Sequence, residues 1–135
     1  MTELQLTAIE ALTVAIEARA HVSRASIARF KAYVDGLAES IAMPADERAA
    51  LRTAALLKDI GLLAIPENIL AKPGRLTDEE YEKVKIHPRV GAALIRSVPF
   101  PFPVEPIVLA HHERWDGKGY PQGLRGQDIP LGARV

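Results

Sequence analysis

The sequence predicts an all-α fold, and three observations predict it. Apolar residues recur at three- and four-residue spacing along most of the chain, and no stretch alternates as a half-buried strand would. Helix-start signals stand where two of the periodic runs begin. At 135 residues the chain is long enough for one domain that buries roughly two thirds of its unfolded surface. One domain over residues 1–135 is expected, an N-terminal helix over 1–20 leading into a core over 21–135.

The first helix is expected from Thr2 to Ala20, with Ile9, Leu12 and Ile16 on one face. A second, from Ser23 to Ala42, carries Ile27, Phe30, Val34, Leu37 and Ile41 as a continuous stripe for a partner helix. A third begins at Pro44, where Asp46 and Glu47 complement the positive end of the helix dipole, and runs through Leu51 to Leu57. It is apolar nearly all round, hence central. Gly61 loosens it and Pro66 prevents its continuation. IPENILAKPGRL reads as a short helical turn and a loop.

Thr77 and Glu80 form a capping box that starts a fourth helix with Tyr81 and Val84 on one side. Pro88 breaks or kinks it, and Pro88 to Arg96 continues as helix with Val90, Ala93 and Leu94 inward. PFPFP forces an extended segment, and a last helix is expected from Val104 to Glu113. The stretch WDGKGYPQGLRGQDIPLG, with five glycines and two prolines, is ordered loop.

Composition excludes several classes. The 17 basic residues balance 17 acidic ones, so no phosphate-neutralising stripe is offered and nucleic acid is not an expected partner. Without cysteine there is neither disulfide nor thiolate metal site. The N-terminus lacks a secretory signal pattern, and no run of about 18 apolar residues occurs, so a cytoplasmic protein with no membrane span is expected. With only 5% aromatic residues, aliphatic side chains must build the core.

Four places could carry chemistry: the adjacent His111 and His112, His87 before Pro88, the Lys58-Asp59 pair ending a buried helix, and the glycine-rich loop after Asp116. Isolated histidines often serve as hydrogen-bonded core residues or complement a helix dipole. The glycines follow no strand and no Walker pattern is present, so they read as loop formers that permit positive φ rather than as a nucleotide fingerprint.

The strings ALLKDIG, IPENILAKPGRLTDEEYEKVKIHP, GAALI and HHERWDGKGYPQGLRGQDIPLGARV together resemble the HD-GYP domain family, from about residue 17 to the last residue. The resemblance implies an HD-superfamily helical bundle of about five to seven helices ending in a glycine-rich loop. It further implies two or three metal ions, commonly iron or manganese, that hydrolyse cyclic-di-GMP to linear pGpG or GMP. On that basis Asp59 fills the bridging-carboxylate position, His87 the ligand before proline, and His111 and His112 the ligand pair. Asp59, His111 and His112 would be the catalytic set. Gly119, Tyr120 and Pro121 match the residues that name the family, and Glu113, Asp116 and Gly117 match the rest of that signature. The loop is implied to contact partners such as diguanylate cyclase domains through Tyr120 and Trp115, unless these aromatics are buried anchors.

Departures accompany the match. Lys58 stands where the family has the His of its His-Asp pair, and Leu62 where it has a phosphate-contacting lysine. Ser26 stands at the first histidine ligand, and Val22 where some members supply a carboxylate. The family continues past the position of Val135 with a helix supplying another aspartate. Two ions about 4 Å apart form a clamp on phosphorus and its oxygens, and one ion does less. The remaining donors suffice for one Fe, Mn or Zn ion at reduced occupancy, or for an empty polar pocket. The Lys58 ammonium either replaces the charge of the first ion beside Asp59 or reaches water along an apolar stem.

Three functions follow as expectations. The first is a cyclic-di-GMP binding or regulatory module with weak or absent turnover. The second is an active phosphodiesterase, and the third a structural helical module whose first helix and 27–41 stripe form a homodimer seam.

Overall fold

A computed structural model describes residues 3–19 and 24–135; Val22, one of the departures, lies outside them. The described residues hold six helices of seven residues or more, two four-residue helical turns, and no strand. In chain order these are α1 (Glu3–Arg19), α2 (Arg24–Ser40), α3 (Ala45–Leu57), a 3-10 turn (Ile60–Ala64), α4 (Glu67–Leu70), α5 (Asp78–Val84), α6 (His87–Arg96), α7 (Val104–Ala110), a 3-10 turn (Gly126–Asp128) and α8 (Leu131–Arg134). The all-α bundle expected from periodicity is what the chain forms. No helix among the described residues is long and apolar enough to cross a membrane.

α3 is central, as its near-continuous apolar run requires. Ala50, Ala54 and Leu57 pack with Ile95 of α6 and with Val104, Ile107 and Val108 of α7 in one cluster. Leu51 joins Val34, Ala38 and Met43 in a second. α6 lies against α7 on one side and the 3-10 turn Ile60–Ala64 on the other. Pro88 does not interrupt a helix: α5 has already ended at Val84, and Pro88 occupies the first turn of α6, where a missing N–H costs nothing.

Three helix faces are rotated from expectation. On α2 only Val34 of the stripe is buried, together with Ala38, while Leu37 is 49% exposed and Phe30 and Ile41 are also exposed. Ala38, the small residue, makes the close contact with Met43 and Leu51, so α2 buries a narrow strip. On α1 Leu12 is exposed and Thr13 buried, because the Thr13 hydroxyl finds a buried acceptor in the Leu56 carbonyl at 3.0 Å. On α6 Ala93 and Leu94 are exposed, and Gly91, Ala92 and Ile95 face inward.

Gly91 explains the last case. A methyl group built on Gly61 would overlap the His87 carbonyl and lie 2.8 Å from the Gly91 nitrogen, so the 3-10 turn rests directly on the α6 backbone. Gly61 therefore does more than loosen α3. It lets the segment after Asp59 touch the start of α6, where His87 stands.

Two boundaries also differ. α2 ends at Ser40, with Ala42 at a φ of 50° and the Met43 N–H donating to the Ala38 carbonyl at 3.0 Å, a left-handed cap ahead of Pro44. α7 ends at Ala110, leaving His111 as its C-cap and His112 in the following turn.

Candidate metal centre

Asp59, His87, His111 and His112 come from three separated stretches and converge. One ligand atom from each lies within 4.8 Å of all the others. α3 and the 3-10 turn deliver Asp59, the first residue of α6 delivers His87, and the end of α7 delivers the histidine pair. His87 is 2% exposed.

Two imidazoles have their tautomers set by the backbone. Nδ1 of His87 donates to the Val84 carbonyl, and Nδ1 of His111 donates to the Val108 carbonyl, each at 2.7 Å and each three residues upstream. A carbonyl can only accept, so both Nδ1 atoms carry the proton and both Nε2 atoms of the neutral rings present a lone pair. Those Nε2 atoms face one another at 3.2 Å. Asp59 Oδ1 lies 3.5 Å from His87 Nε2 and 3.7 Å from His111 Nε2.

Three electron-rich atoms thus form a triangle with no proton of their own along its edges, an arrangement that a cation relieves. With those three sides, the point equidistant from the atoms lies about 2 Å from each, matching the roughly 2.0–2.2 Å of zinc bonds to nitrogen or oxygen. These three donor atoms fit a divalent ion, and the His112 donor atom stands beside them, all four lying within 4.8 Å of one another.

Electrostatics keep the donors in ligand form. Burial raises the pKa of Asp59, but the Lys58 ammonium bonded to it outweighs burial and holds the carboxyl well below the usual carboxylate range. Burial lowers His87. Burial, followed by the adjacent His111 and His87, lowers His112 to about 4. Metal uptake by these rings near neutral pH has few protons to displace.

The Lys58 ammonium bonds Asp59 Oδ2, the oxygen turned away from the two histidines, and stands 5.6 Å from the centre of the Phe30 ring. Ser26 lies on α2, where its hydroxyl accepts from Arg29 at 3.2 Å. Leu62 is half-buried, its N–H donating to the Asp59 carbonyl at 2.9 Å. None of these three side chains belongs to the converging donor group.

The glycine-rich loop is tied down beside the histidines. The Glu113 carboxylate accepts the N–H groups of Gln122 at 2.6 Å and Leu124 at 3.0 Å, and Asp116 accepts the Lys118 N–H at 2.9 Å. Tyr120 donates its N–H to the His112 carbonyl at 3.2 Å, and Arg89 of α6 reaches the Pro121 carbonyl at 2.9 Å. Gly117, Gly123 and Gly126 take positive φ. Gly119 serves another purpose: a methyl group there would come within 2.6 Å of the Glu113 Cα and the His112 carbonyl. Tyr120 is the half-buried anchor, its ring stacked on His112 at 4.8 Å, whereas Trp115 is 62% exposed.

Sequence reasoning did not anticipate the Val84 and Val108 carbonyls, Arg89, or Tyr81, whose ring meets Tyr120 edge-on at 6.4 Å. The shared three-residue step from valine to histidine was the available signal for the carbonyls.

The HD domain family matches residues 10–135. The chain belongs to that family. A cyclic di-GMP phosphodiesterase of Vibrio cholerae is 38% identical over 95% of this HD domain chain and 29% of its own length. The cyclic di-GMP phosphodiesterase response regulator RpfG of Xanthomonas campestris is 38% identical over 98% of the chain and 36% of its own length. A 3'3'-cGAMP-specific phosphodiesterase of Vibrio cholerae is 37% identical over 90% of the chain and 24% of its own length. The HD-GYP resemblance drawn from the motifs is supported. The HD domain chain spans about a third or less of the length of these relatives.

Proposed function

We propose that this HD-GYP domain is a cyclic-dinucleotide signalling module that holds one divalent ion on Asp59, His87, His111 and His112 and turns its ligand over weakly or not at all. The observation that carries the reading is the triangle of Asp59 Oδ1 and the two Nε2 atoms, with tautomers fixed by the backbone. When bound, a divalent ion there supplies Lewis-acid charge to a phosphodiester.

The chain's own residues set what that charge can accomplish. His87 and His111 orient their lone pairs, Asp59 stays ionised, and the Lys58 ammonium takes the second carboxylate oxygen, leaving it less able to help hold a further ion. Among the described residues Lys58, Leu62 and Ser26 offer no imidazole at their positions, so the ligand would meet one ion and one ammonium instead of a two-ion clamp. Lys118 and Arg114 line the outer cleft beside the histidines and attract the phosphodiester anion. The names of the relatives supply the ligand class, cyclic di-GMP or 3'3'-cGAMP. The exposed Trp115 offers a signalling partner a contact on the loop.

The test is equilibrium binding of cyclic di-GMP and 3'3'-cGAMP to manganese- or iron-loaded protein, with product formation followed by chromatography. Binding with turnover well below about 1 per second, the low end for ordinary enzymes, is expected. Turnover within the ordinary range would establish the active phosphodiesterase instead, and absence of binding would leave a structural helical module.

A further inference from the structure

Beyond the donor group, the cleft of about 620 Å³ that opens from the histidines is walled on one side by a row of rings. His112 stacks on Tyr120 with an interplanar angle of 15°, and Tyr120 meets Tyr81 edge-on at 83°. The row starts at the donor group and ends at Tyr81, which lines the cleft and is 47% exposed.

Tyr81 is held in place from below. It sits one turn into α5, whose start is fixed by the capping box of Thr77 and Glu80, and its N–H donates to the Thr77 carbonyl at 2.9 Å. The Lys85 ammonium, one turn on, lies 5.3 Å from the Tyr81 ring centre and 5.9 Å from that of Tyr120, filling the corner between the two rings. Glu82 pairs with the same ammonium at 2.5 Å. A half-exposed aromatic ring fixed at a helix start, on the wall of the cleft beside the histidines, suits a flat heterocycle. Stacking on such a face is worth about a tenfold gain in affinity or more per base.

We infer that Tyr81 is the stacking platform for the nucleobase next to the phosphodiester held at the histidines, and so a specificity residue for purine cyclic dinucleotides. This rests on the functional reading above. The ring row sets the base outward of the donor group, and Lys118 and Arg114 flank the same cleft where the phosphodiester enters.

The test compares wild type, Tyr81→Ala and Tyr81→Phe, all manganese-loaded, for affinity toward cyclic di-GMP. Quenching of a cyclic dinucleotide carrying 2-aminopurine reports stacking itself. The inference expects about tenfold weaker binding and lost quenching in Tyr81→Ala, with unchanged metal content, and near wild-type behaviour in Tyr81→Phe. Wild-type affinity and quenching in Tyr81→Ala would overturn the platform while leaving the functional reading standing. Wild-type protein that loads metal but binds no cyclic dinucleotide would overturn both.

Discussion

The α6–α7 side of the cleft and its α2–α3 side face the same carboxylate with opposite chemistry. Across from Asp59 Oδ1 stand two buried or half-buried imidazoles whose Nδ1 atoms are committed to backbone carbonyls. On Oδ2 stands an ammonium, that of Lys58, backed by the Phe30 ring. One oxygen is prepared for a cation from solution, while the other already has a cation from the chain. The difference teaches that a donor site is defined by what orients its atoms. The carbonyls of Val84 and Val108 turn the Nε2 lone pairs of His87 and His111 toward Asp59, and Lys58 lacks any lone pair to offer while protonated.

The seam between the sides is the place to break the comparison most severely. Gly61→Ala puts a methyl group into the His87 carbonyl, and because backbone is on both sides, neither can yield cheaply. A loss of about 3 kcal/mol or more in unfolding free energy is expected from urea titration, with metal uptake impaired at the same time. Next in size, His111→Ala removes a ligand but touches little of the core cluster. Metal affinity should fall at least about 100-fold by calorimetry with helical content retained.

The opposite side gives a gain. Lys58→Met deletes the competitor for Asp59, so the remaining ion should bind about tenfold more tightly. Lys58→His should in addition raise the number of ions bound in a metal titration, and an unchanged stoichiometry in that variant would show that Lys58 does not stand in for an ion.

A smaller effect follows from protonation of the metal-free protein. His87 and His112 are held below the ordinary 6.5, His112 at about 4, so between those values the unfolded chain binds more protons than the folded one. Their contribution to stability is full above pH 6.5 and is lost as pH falls through that window. For His112 the loss is about 1 kcal/mol, since solvent around its partly exposed ring screens much of the effect. Urea midpoints at about pH 7.5 and about pH 5 check the sign, and a higher midpoint in acid would contradict it.

Fold class was legible in the sequence because apolar spacing of three and four residues marks the long elements as helices, even where the face it points to differs, and the capping box at Thr77 and Glu80 forms as its spacing requires. Helix faces were less legible. Pattern reading gives weight to large side chains, yet close contacts here are made by Ala38, Gly91 and Ala92, and a polar Thr13 is buried because one carbonyl awaits it. Large residues such as Leu37 and Leu94 are displaced outward as a result.

Of the candidate centre, Asp59, His87, His111 and His112 were singled out from the motifs, and one donor atom from each lies within 4.8 Å of the others. Orientation was not, because it depends on backbone acceptors, which carry no side-chain signature. The same holds for the loop, where Glu113 acts on two amides nine and eleven residues away.

Most direct for the whole account is the metal content of purified wild-type protein after manganese or iron loading and removal of excess, measured by mass spectrometry beside the His87→Ala variant. One ion per chain in wild type and none in the variant is the expected result. No retained ion in wild type, or an equal amount in both proteins, would contradict it.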